Sequence, residues 1–364
     1  MSSPVYVFDS TTKDELSRVR GVGRYLQLLK ENFPKNTIFI DKIERINTDS
    51  VFINPFFNFL KPPLLMKRVA KKQIAVIHDL IPLKYPEHFP TGIRGNINIF
   101  LNKLALRNYD LIVTDSQTSK KEILQLLKIE ESRVRVIYPC LPKMFTESSQ
   151  KSKIKSQNYN SKVKSKETFD FSLLTSNFLL YVGDATWNKN LVNLALAIKI
   201  INVPCVFVGK VFNVVKKAGE DICFEPALIN HPWQKEFKEF IELTKNDKRF
   251  IFLGYIDDYK LINLYEQARV NILVSRDEGF GFSYLEAANF NCPSVLSNIP
   301  VLREISKDRG AYFANPSDPN DIANKIGEVY FNPDLRKKLG FEAQQQSLKF
   351  NQEKYKKDLL THLK

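Results

Sequence analysis

Residues 269–305, RVNILVSRDEGFGFSYLEAANFNCPSVLSNIPVLREI, constrain the fold more than any other stretch of the chain. Residues 270–274 form a short apolar run that suits a buried parallel strand, and residues 293–296 form a second one. The segment between them opens an amphipathic helix at Ser283-Tyr-Leu-Glu286. Polar residues therefore gather at the carboxyl end of a strand, which is where open α/β sheets bind their ligands.

The turn between strand and helix suits an anion or a sugar ring. It consists of Glu278, Gly279, Phe280, Gly281 and Phe282. Gly279 and Gly281 let the backbone approach a ligand closely, and their N–H groups lie near a helix N-terminus, which attracts phosphate. Glu278 and Glu286 can face the same crevice. A purely structural role for Glu286 stays open, because Ser283-x-x-Glu286 fits a capping box.

The length and composition favour two domains without a membrane span. A chain of 364 residues with 43% hydrophobic residues is large enough for two packed cores. It contains no run of 18 apolar residues, and its first residues lack the pattern of a signal peptide. The four cysteines are far apart and include no CxxC pair, so we expect free thiols in the reducing cytoplasm.

The charge is positive and unevenly distributed. The net charge is +14, and residues 167–364 contain equal numbers of basic and acidic residues, so the excess belongs to the first half and to residues 151–166. A basic surface can bind nucleic acid, anionic lipid or a diphosphate. The sequence contains no helix-turn-helix, zinc-finger or RRM signature, so we expect no nucleic-acid partner.

The first half alternates apolar strands with polar turns. Residues 5–8 form a strand, and Gly21, Gly23 and Arg24 follow between it and a helix, where they can approach a phosphate. His78 directly follows the apolar residues 74–77, a position from which it can touch a ligand, although a structural histidine is the plainer interpretation.

Residues 55–72 combine aromatic and aliphatic residues with a cluster of cations: Lys67, Arg68, Lys71 and Lys72. An interfacial membrane contact needs this combination. The alternative is a loop whose apolar residues pack inward while its lysines are solvated.

The second half repeats the alternation after a polar segment. We expect domains at 1–145 and 171–345, a basic flexible linker at 146–170, and a final helix at 346–364 that crosses back to the first domain. Asn188 and Lys189 follow a glycine turn after the strand 178–182, where a lysine suits a diphosphate. Tyr255 follows the strand 249–253.

Five phrases, in order along the chain, resemble motifs of the GT4-type glycosyltransferases of GT-B fold. They are GVGRY at 21–25, HDLIP at 78–82, YVGDATWNKN at 181–190, GYIDD at 254–258, and EGFGFSYLEA at 278–287 followed by CPSVLSNIP. The resemblance covers nearly the whole chain except about 146–170. It implies an α/β fold with two Rossmann-like, doubly wound domains that face a central cleft.

The resemblance also implies roles for individual residues. Glu286 would hold the ribose hydroxyls and Glu278 those of the donor sugar, while His78 would touch the sugar. Lys189 would stabilise the leaving diphosphate with backbone groups of the glycine turns. The remaining substrate-binding candidates are Gly21, Gly23, Arg24, Asn188, Gly279, Phe280, Gly281, Phe282 and Tyr255. Asn188 stands where the family has an arginine, so one expected cation is absent and Arg24 is a candidate to replace it.

The expected function is a retaining hexosyltransferase similar to bacterial mannosyltransferases of polysaccharide assembly. We expect a nucleotide-sugar donor, with GDP-mannose favoured, no metal or other cofactor, and a glycan or lipid-linked acceptor. The expected location is cytoplasmic, with an anionic inner membrane face as a candidate partner. Two alternatives remain: a nucleotide-sugar epimerase or phosphorylase on the same fold, and a basic nucleic-acid-binding module. A phosphorylase would need a much longer chain.

Overall fold

The computed structural model describes residues 3–12, 21–44, 46–152, 177–213 and 232–362. The chain divides into two compact units. The first consists of Met1–Lys143 together with Phe350–Lys364, and the second of Met144–Lys349.

The first unit contains a six-stranded sheet in which every strand pairing is parallel. Its strands are β1 (Val5–Phe8), β2 (Ile38–Ile40), β3 (Val51–Asn54), β4 (Lys72–Val76), β5 (Leu111–Thr114) and β6 (Val134–Val136). Its described helices are α1 (Gly21–Asn32), α2 (Ile81–Lys84), α3 (Gly92–Ala105) and α4 (Gln117–Leu127), and α5 (Lys143–Ser152) follows at its end. The strand order is β2-β1-β3-β4-β5-β6.

The second unit contains another parallel six-stranded sheet. Its strands are β7 (Leu179–Val182), β8 (Cys205–Val208), β9 (Phe250–Gly254), β10 (Val270–Leu273), β11 (Ser294–Ser297) and β12 (Ala311–Ala314). Its helices are α6 (Leu191–Ile201), α7 (Lys235–Thr244), α8 (Asp258–Gln267), α9 (Phe282–Asn289), α10 (Pro300–Ser306), α11 (Pro319–Tyr330) and α12 (Pro333–Ser347). The order β12-β11-β10-β7-β8-β9 makes both sheets doubly wound, which confirms the predicted fold class.

The central strands are short apolar runs because both of their faces are covered. Every residue of β3, β5, β8, β10 and β11 is buried. In the second unit, aromatic rings beneath the sheet form a dense cluster in which Phe207, Phe212 and Phe240 lie 5.3–6.2 Å apart. This rigid core holds the strand ends, and the loops after them, in fixed positions.

Most apolar residues of the stretch 55–72 pack in or against the core of the first unit, whereas Met66 is 49% exposed. Phe57, Phe59 and Leu65 are 6%, 3% and 7% exposed and pack in the core of the first unit. The interpretation of these residues as a membrane contact is therefore wrong, because they are already covered by protein. The inward-packing alternative is the one that the structure shows.

The boundaries differ in part from those expected. Residues 146–152 of the predicted linker belong to α5, so they are helical, and 153–170 lie outside the described residues. The last helix, α13 (Gln352–Thr361), packs in the first unit, where Gln352 Nε2 donates to Leu141 O at 3.3 Å. The predicted helix 346–364 is interrupted, because α12 ends at Ser347 and α13 begins at Gln352.

Three of the cysteines are buried free thiols: Cys140, Cys205 and Cys292. Burial raises the pKa of the Cys140 and Cys292 thiols to about 12 and that of Cys205 well above its usual value. Cys223 lies outside the described residues. Within the described part of the chain, no helix is long and apolar enough to span a bilayer.

Candidate functional site

The switch point of the second sheet lies between β7 and β10. The chain runs outward from β7 through β8 and β9, and then returns to place β10 on the other side of β7. The loops after these two neighbouring strands carry Lys189 and Glu278. A doubly wound sheet binds its ligand in the crevice at this point, so the topology alone selects these two loops.

Lys189 and Glu278 form a largely buried ion pair. Lys189 Nζ donates to Glu278 Oε1 at 2.7 Å, and the side chains are 20% and 9% exposed. The Ser275 hydroxyl donates to the same carboxylate oxygen at 2.7 Å. Charge-assisted bonds of this length are strong and fix the orientation of the carboxylate. The pair places a cation and a hydroxyl-binding carboxylate side by side.

Two asparagines lock the Lys189 loop against the loop after β10. Asn188 Nδ2 donates to Asp277 O at 3.1 Å, and Asn190 Nδ2 donates to Val274 O at 2.8 Å. The Thr186 hydroxyl donates to Asn188 Oδ1 at 2.7 Å. Both polar atoms of the Asn188 amide are therefore engaged inside the protein, and its role in this geometry is to position Lys189.

Gly281 controls how the glycine turn enters α9. It occupies the N-cap position with φ of +106°, and a Cβ atom there would lie 2.9 Å from Leu302 Cδ2. Only glycine fits this conformation in this space. Because α9 begins at Phe282, Ser283 lies inside the helix and its hydroxyl has no hydrogen-bond partner in the described structure. The capping-box interpretation of Ser283 and Glu286 is wrong.

Glu286 is instead held by a tyrosine of α8. The Tyr265 hydroxyl donates to Glu286 Oε2 at 2.9 Å, and the two residues are 1% and 4% exposed. The Tyr265 ring stacks on Phe290 with an interplanar angle of 7°. These contacts fix a carboxylate one helical turn inside α9, at the place where the sequence predicts a ribose ligand.

Aromatic residues lie close to the glycine turn and after β9. The Phe280 and Phe282 rings lie 5.2 Å apart edge to face, and Phe280 is 4% exposed. Gly279 is buried. Tyr255 is half exposed, and its backbone N–H donates to Asn213 Oδ1 at 2.7 Å. The turn thus has a buried aromatic base, while Tyr255 has a solvent-facing ring.

In the first unit, His78 is held at both ring nitrogens. Nδ1 lies 2.6 Å from Asp115 Oδ2, and Nε2 lies 3.1 Å from Pro55 O. The Tyr25 ring contacts the imidazole edge to face at 4.6 Å between centroids. Both partners are acceptors, so the histidine satisfies them fully only when both nitrogens carry protons.

The charges around His78 favour the same protonated form. Burial, the largest single influence, opposes the charge, but the attraction and hydrogen bond of Asp115, the charge of Asp79 and the Pro55 carbonyl outweigh it and raise the pKa of His78. In this conformation the ring uses both nitrogens inside the protein. A contact with a sugar would require Nε2 to leave the Pro55 carbonyl.

The GVGRY phrase forms helix rather than the predicted loop. Gly21 and Gly23 lie in the first turn of α1, where backbone N–H groups lack intrahelical acceptors. Gly21 is exposed with open space around it, and Gly23 is buried. Arg24 Nη1 donates to Gln27 Oε1 at 3.4 Å within the helix. Residues 13–20, which precede it, lie outside the described residues.

Sequence reasoning missed three residues that hold the site: Ser275, Tyr265 and Asp115. Asp115 carried a usable signal, because it follows β5 as His78 follows the neighbouring strand β4. Tyr265 also carried one, since it lies seven residues beyond the GYIDD phrase, in the run GYIDDYKLINLYEQA at 254–268. Ser275 had no signal beyond its place at a strand end.

The described residues contain no group of three or more histidine, cysteine or carboxylate side chains arranged to hold a metal ion. At the switch point of the second sheet, Glu278 instead pairs with the Lys189 ammonium.

Comparison with known proteins identifies related sequences. Residues 164–346 match the family described as glycosyl transferases group 1. The chain is 23% identical over 266 residues to the O-antigen chain mannosyltransferase RfbU of Salmonella typhimurium, an alignment that covers 73% of this chain and 63% of that one. It is 25% identical over 262 residues to O-antigen chain mannosyltransferase B of Escherichia coli, covering 72% and 61%. The chain thus spans less than two thirds of the length of these curated relatives.

Solved structures share the fold over the full chain. Anabaena Alr3699/HepE, solved in complex with UDP and glucose, superposes with a TM-score of 0.66 at 14% identity and covers 100% of this chain and 99% of that one. Sucrose-phosphate synthase from Thermosynechococcus elongatus gives 0.65 at 14% identity, covering 99% and 98%. These identities establish a shared architecture. Because the family match covers half of the sequence and includes every site residue of the second unit, this chain belongs to the group 1 glycosyl transferases.

Proposed function

We propose that this protein transfers a hexose, with mannose favoured, from a nucleotide sugar to a glycan or lipid-linked acceptor. The anomeric configuration is retained and no metal is required. The observation that carries the proposal is the contact of Lys189 with Glu278 at the switch point, with Glu286 fixed eight residues further along.

The arrangement fits the parts of a nucleotide sugar in order. In a nucleotide sugar the sugar ring is joined directly to a diphosphate. Its binding site therefore needs a carboxylate that accepts hydrogen bonds from the sugar hydroxyls, next to a cation that binds the diphosphate. Glu278 and Lys189 provide these two groups in contact with each other. Glu286 supplies a second carboxylate for the ribose hydroxyls. The N-terminus of α9, opened by Gly281, directs backbone N–H groups towards the same turn and attracts negative charge.

In the reaction, the bond from the anomeric carbon to the diphosphate oxygen breaks as the acceptor oxygen bonds to that carbon, and the proton of the acceptor hydroxyl passes to the departing diphosphate. The departing diphosphate gains negative charge, which the Lys189 ammonium and the α9 N-terminus stabilise. Glu278 positions the sugar ring through its hydroxyls. Asn188 and Asn190 keep the lysine in place, so little reorganisation is needed when the charge develops.

The donor choice rests on the relatives. Two proteins to which this chain is similar are named O-antigen chain mannosyltransferases, and this supports mannose, with GDP-mannose as the favoured donor. Both names refer to an O-antigen chain, which supports a glycan or lipid-linked acceptor for this chain.

A thermal-shift screen with GDP, UDP, dTDP, ADP and their sugars tests the donor class. A ligand at 100 times its Kd stabilises the native state by about 2.7 kcal/mol, which is readily measured. We expect a GDP response in the wild type that Glu286→Ala weakens. The absence of a response to every nucleotide would contradict the proposal.

Product analysis separates transfer from epimerisation. A transferase releases nucleotide only when an acceptor is present, whereas an epimerase converts the nucleotide sugar without releasing it. NMR of the new linkage then distinguishes retention from inversion at the anomeric carbon.

A further inference from the structure

Helix α3 carries a stripe of strongly exposed apolar side chains. Ile93, Ile97 and Phe100 are 81%, 52% and 63% exposed. Their spacing of four and three residues places them on one face of the helix. A contiguous exposed apolar surface of this kind marks a site where another molecule or a lipid surface binds.

Cations flank the stripe. With 3.6 residues per turn, Arg94 lies on one side of it and Lys103 on the other, and both are exposed. Arg107 follows in the next turn and is also exposed. Residues 91–109 contain no aspartate or glutamate. The partner of this surface must therefore be both apolar and anionic.

The opposite face of α3 is anchored, so the stripe cannot turn inward. Asn98 Nδ2 donates to Leu60 O at 2.9 Å, and Asn102 Nδ2 donates to Phe59 O at 3.3 Å and to Lys61 O at 2.7 Å. Asn102 is 2% exposed. These bonds fix the rotation of the helix about its own axis and present the stripe as a rigid surface.

The cation cluster of residues 67–72 is less available than α3. Arg68 makes a bidentate contact with Asp110 at 2.6 and 2.9 Å, and Lys71 lies 3.5 Å from Asp49. Those acids offset part of the positive charge, and Phe57, Phe59 and Leu65 of the same stretch are buried, which leaves Met66 as its one strongly exposed large apolar side chain. The combination of exposed apolar side chains and nearby cations that the sequence predicts at residues 55–72 is found on α3 instead.

We propose that the exposed face of α3 inserts into the surface of an anionic lipid bilayer. Ile93, Ile97 and Phe100 enter the acyl boundary while Arg94 and Lys103 meet the headgroup phosphates. A second exposed apolar pair, Ile200 and Phe331, shows the contrast, because its groove contains two acids, Asp321 and Glu328, against one cation, Lys325, and so has no excess of positive charge to attract such a surface. The inference goes beyond the proposed transfer reaction, since binding to lipid needs neither donor nor acceptor.

Vesicle flotation with the full chain tests the proposal. We expect the wild type to float with vesicles containing phosphatidylglycerol and much less with pure phosphatidylcholine. Arg94→Glu with Lys103→Glu should lower the partition coefficient by roughly tenfold or more. Ile97→Ser with Phe100→Ser should lower it by a similar factor or more, roughly ten- to a hundredfold.

The chain offers matched controls for both variants. Lys337→Glu with Lys338→Glu changes the net charge equally at exposed positions of α12. Ile200→Ser with Phe331→Ser removes side chains that are 54% and 63% exposed, against 52% and 63% for Ile97 and Phe100. Both controls should bind vesicles like the wild type. Equal losses in control and α3 variants would overturn the proposal.

A fluorescence measurement provides a second readout. Phe100→Trp adds a third tryptophan to the two in the chain, and its emission should shift to the blue and be quenched by brominated lipid when anionic vesicles are added. If anionic vesicles leave the emission spectrum of Phe100→Trp unchanged, the proposal is overturned. Self-association through α3 without vesicle binding, seen by light scattering and abolished by Ile97→Ser with Phe100→Ser, would do the same and would identify a second copy as the partner.

Discussion

The two units each hold a charged pair at the carboxyl ends of parallel strands, but the pairs differ in how they are satisfied. In the second unit Lys189 and Ser275 both donate to Glu278 Oε1. In the first unit His78 is bonded at both nitrogens, to a buried carboxylate and to a backbone carbonyl. The Lys189 ammonium ends a flexible side chain and can turn towards a ligand, whereas the His78 ring is held by a backbone carbonyl as well as by Asp115.

This difference indicates which site is organised for ligand binding. Lysine has three donors on a flexible chain, so it can bind a phosphate without leaving Glu278 entirely. His78 has no further donor to offer, and it must give up the Pro55 carbonyl before it can contact a substrate. We therefore expect substitutions at the second pair to affect activity most, and those at the first pair to affect stability most.

The largest expected effect comes from Lys189→Ala. Removing a donor that stabilises a developing negative charge lowers kcat/KM by roughly 10²–10³-fold. The comparison variant is Lys325→Ala, which breaks an exposed pair with Glu328 and should keep its rate. Both variants are compared with the wild type by initial rates, using the nucleotide sugar that stabilises the wild type in the thermal-shift screen. If Lys189→Ala folds and keeps near wild-type activity, the Lys189 pair is not needed for activity and the proposed difference between the two units is wrong.

Asp115→Asn should produce the next largest effect, this time on stability. Breaking a buried pair costs about 3 kcal/mol, the low end for such pairs. The wild-type pKa of His78 is raised above its usual 6.5, so its stabilisation is complete below pH 6.5 and is lost as the pH rises through the folded-state pKa. Without Asp115, burial dominates and lowers that pKa, so stability should instead fall as the pH drops below 6.5.

Denaturant melts between pH 5.5 and 9 measure this reversal. His88→Gln, a change at a half-exposed histidine, should leave the pH dependence of the wild type intact. If Asp115→Asn melts with the wild-type pH profile, the ion pair is not what holds His78 charged.

Tyr265→Phe should have the smallest of the three effects. It removes one hydrogen bond to the Glu286 carboxylate, worth about 1.5 kcal/mol, and should weaken nucleotide binding roughly tenfold. Tyr259→Phe in the same helix is the control, because that side chain is 69% exposed. Calorimetric titration measures the affinity of both variants for the nucleotide that stabilises the wild type in the thermal-shift screen. Equal affinities would show that Glu286 needs no support from α8.

The sequence predicts central strands well, but it misses one edge strand of each sheet. The strands β7, β10 and β11 lie where the apolar runs place them, because a strand covered on both faces must be apolar throughout. The edge strands β2 and β12 escaped prediction. β2 has three residues and β12 has four, and both are partly exposed, so each gives a shorter and weaker signal than a fully buried strand.

The site shows the same limit. The glycines and carboxylates of the turn after β10 are consecutive, so their local pattern is readable. Ser275, Tyr265 and Asp115 act through partners that lie three to 37 residues away along the chain, and only the folded structure brings each pair together. Pairings of this kind depend on strand order, which periodicity alone does not determine.

The buried thiols make the protein suitable for selective labelling. Maleimides react with exposed thiolates, and Cys140, Cys205 and Cys292 are buried with raised pKa values. Once Cys223 is replaced by serine, a cysteine introduced at Phe100 or at Phe331 would be the principal reactive thiol. A spin label at either position would then report its immersion depth in a bilayer, one on the face of α3 and the other on a surface that should stay in water.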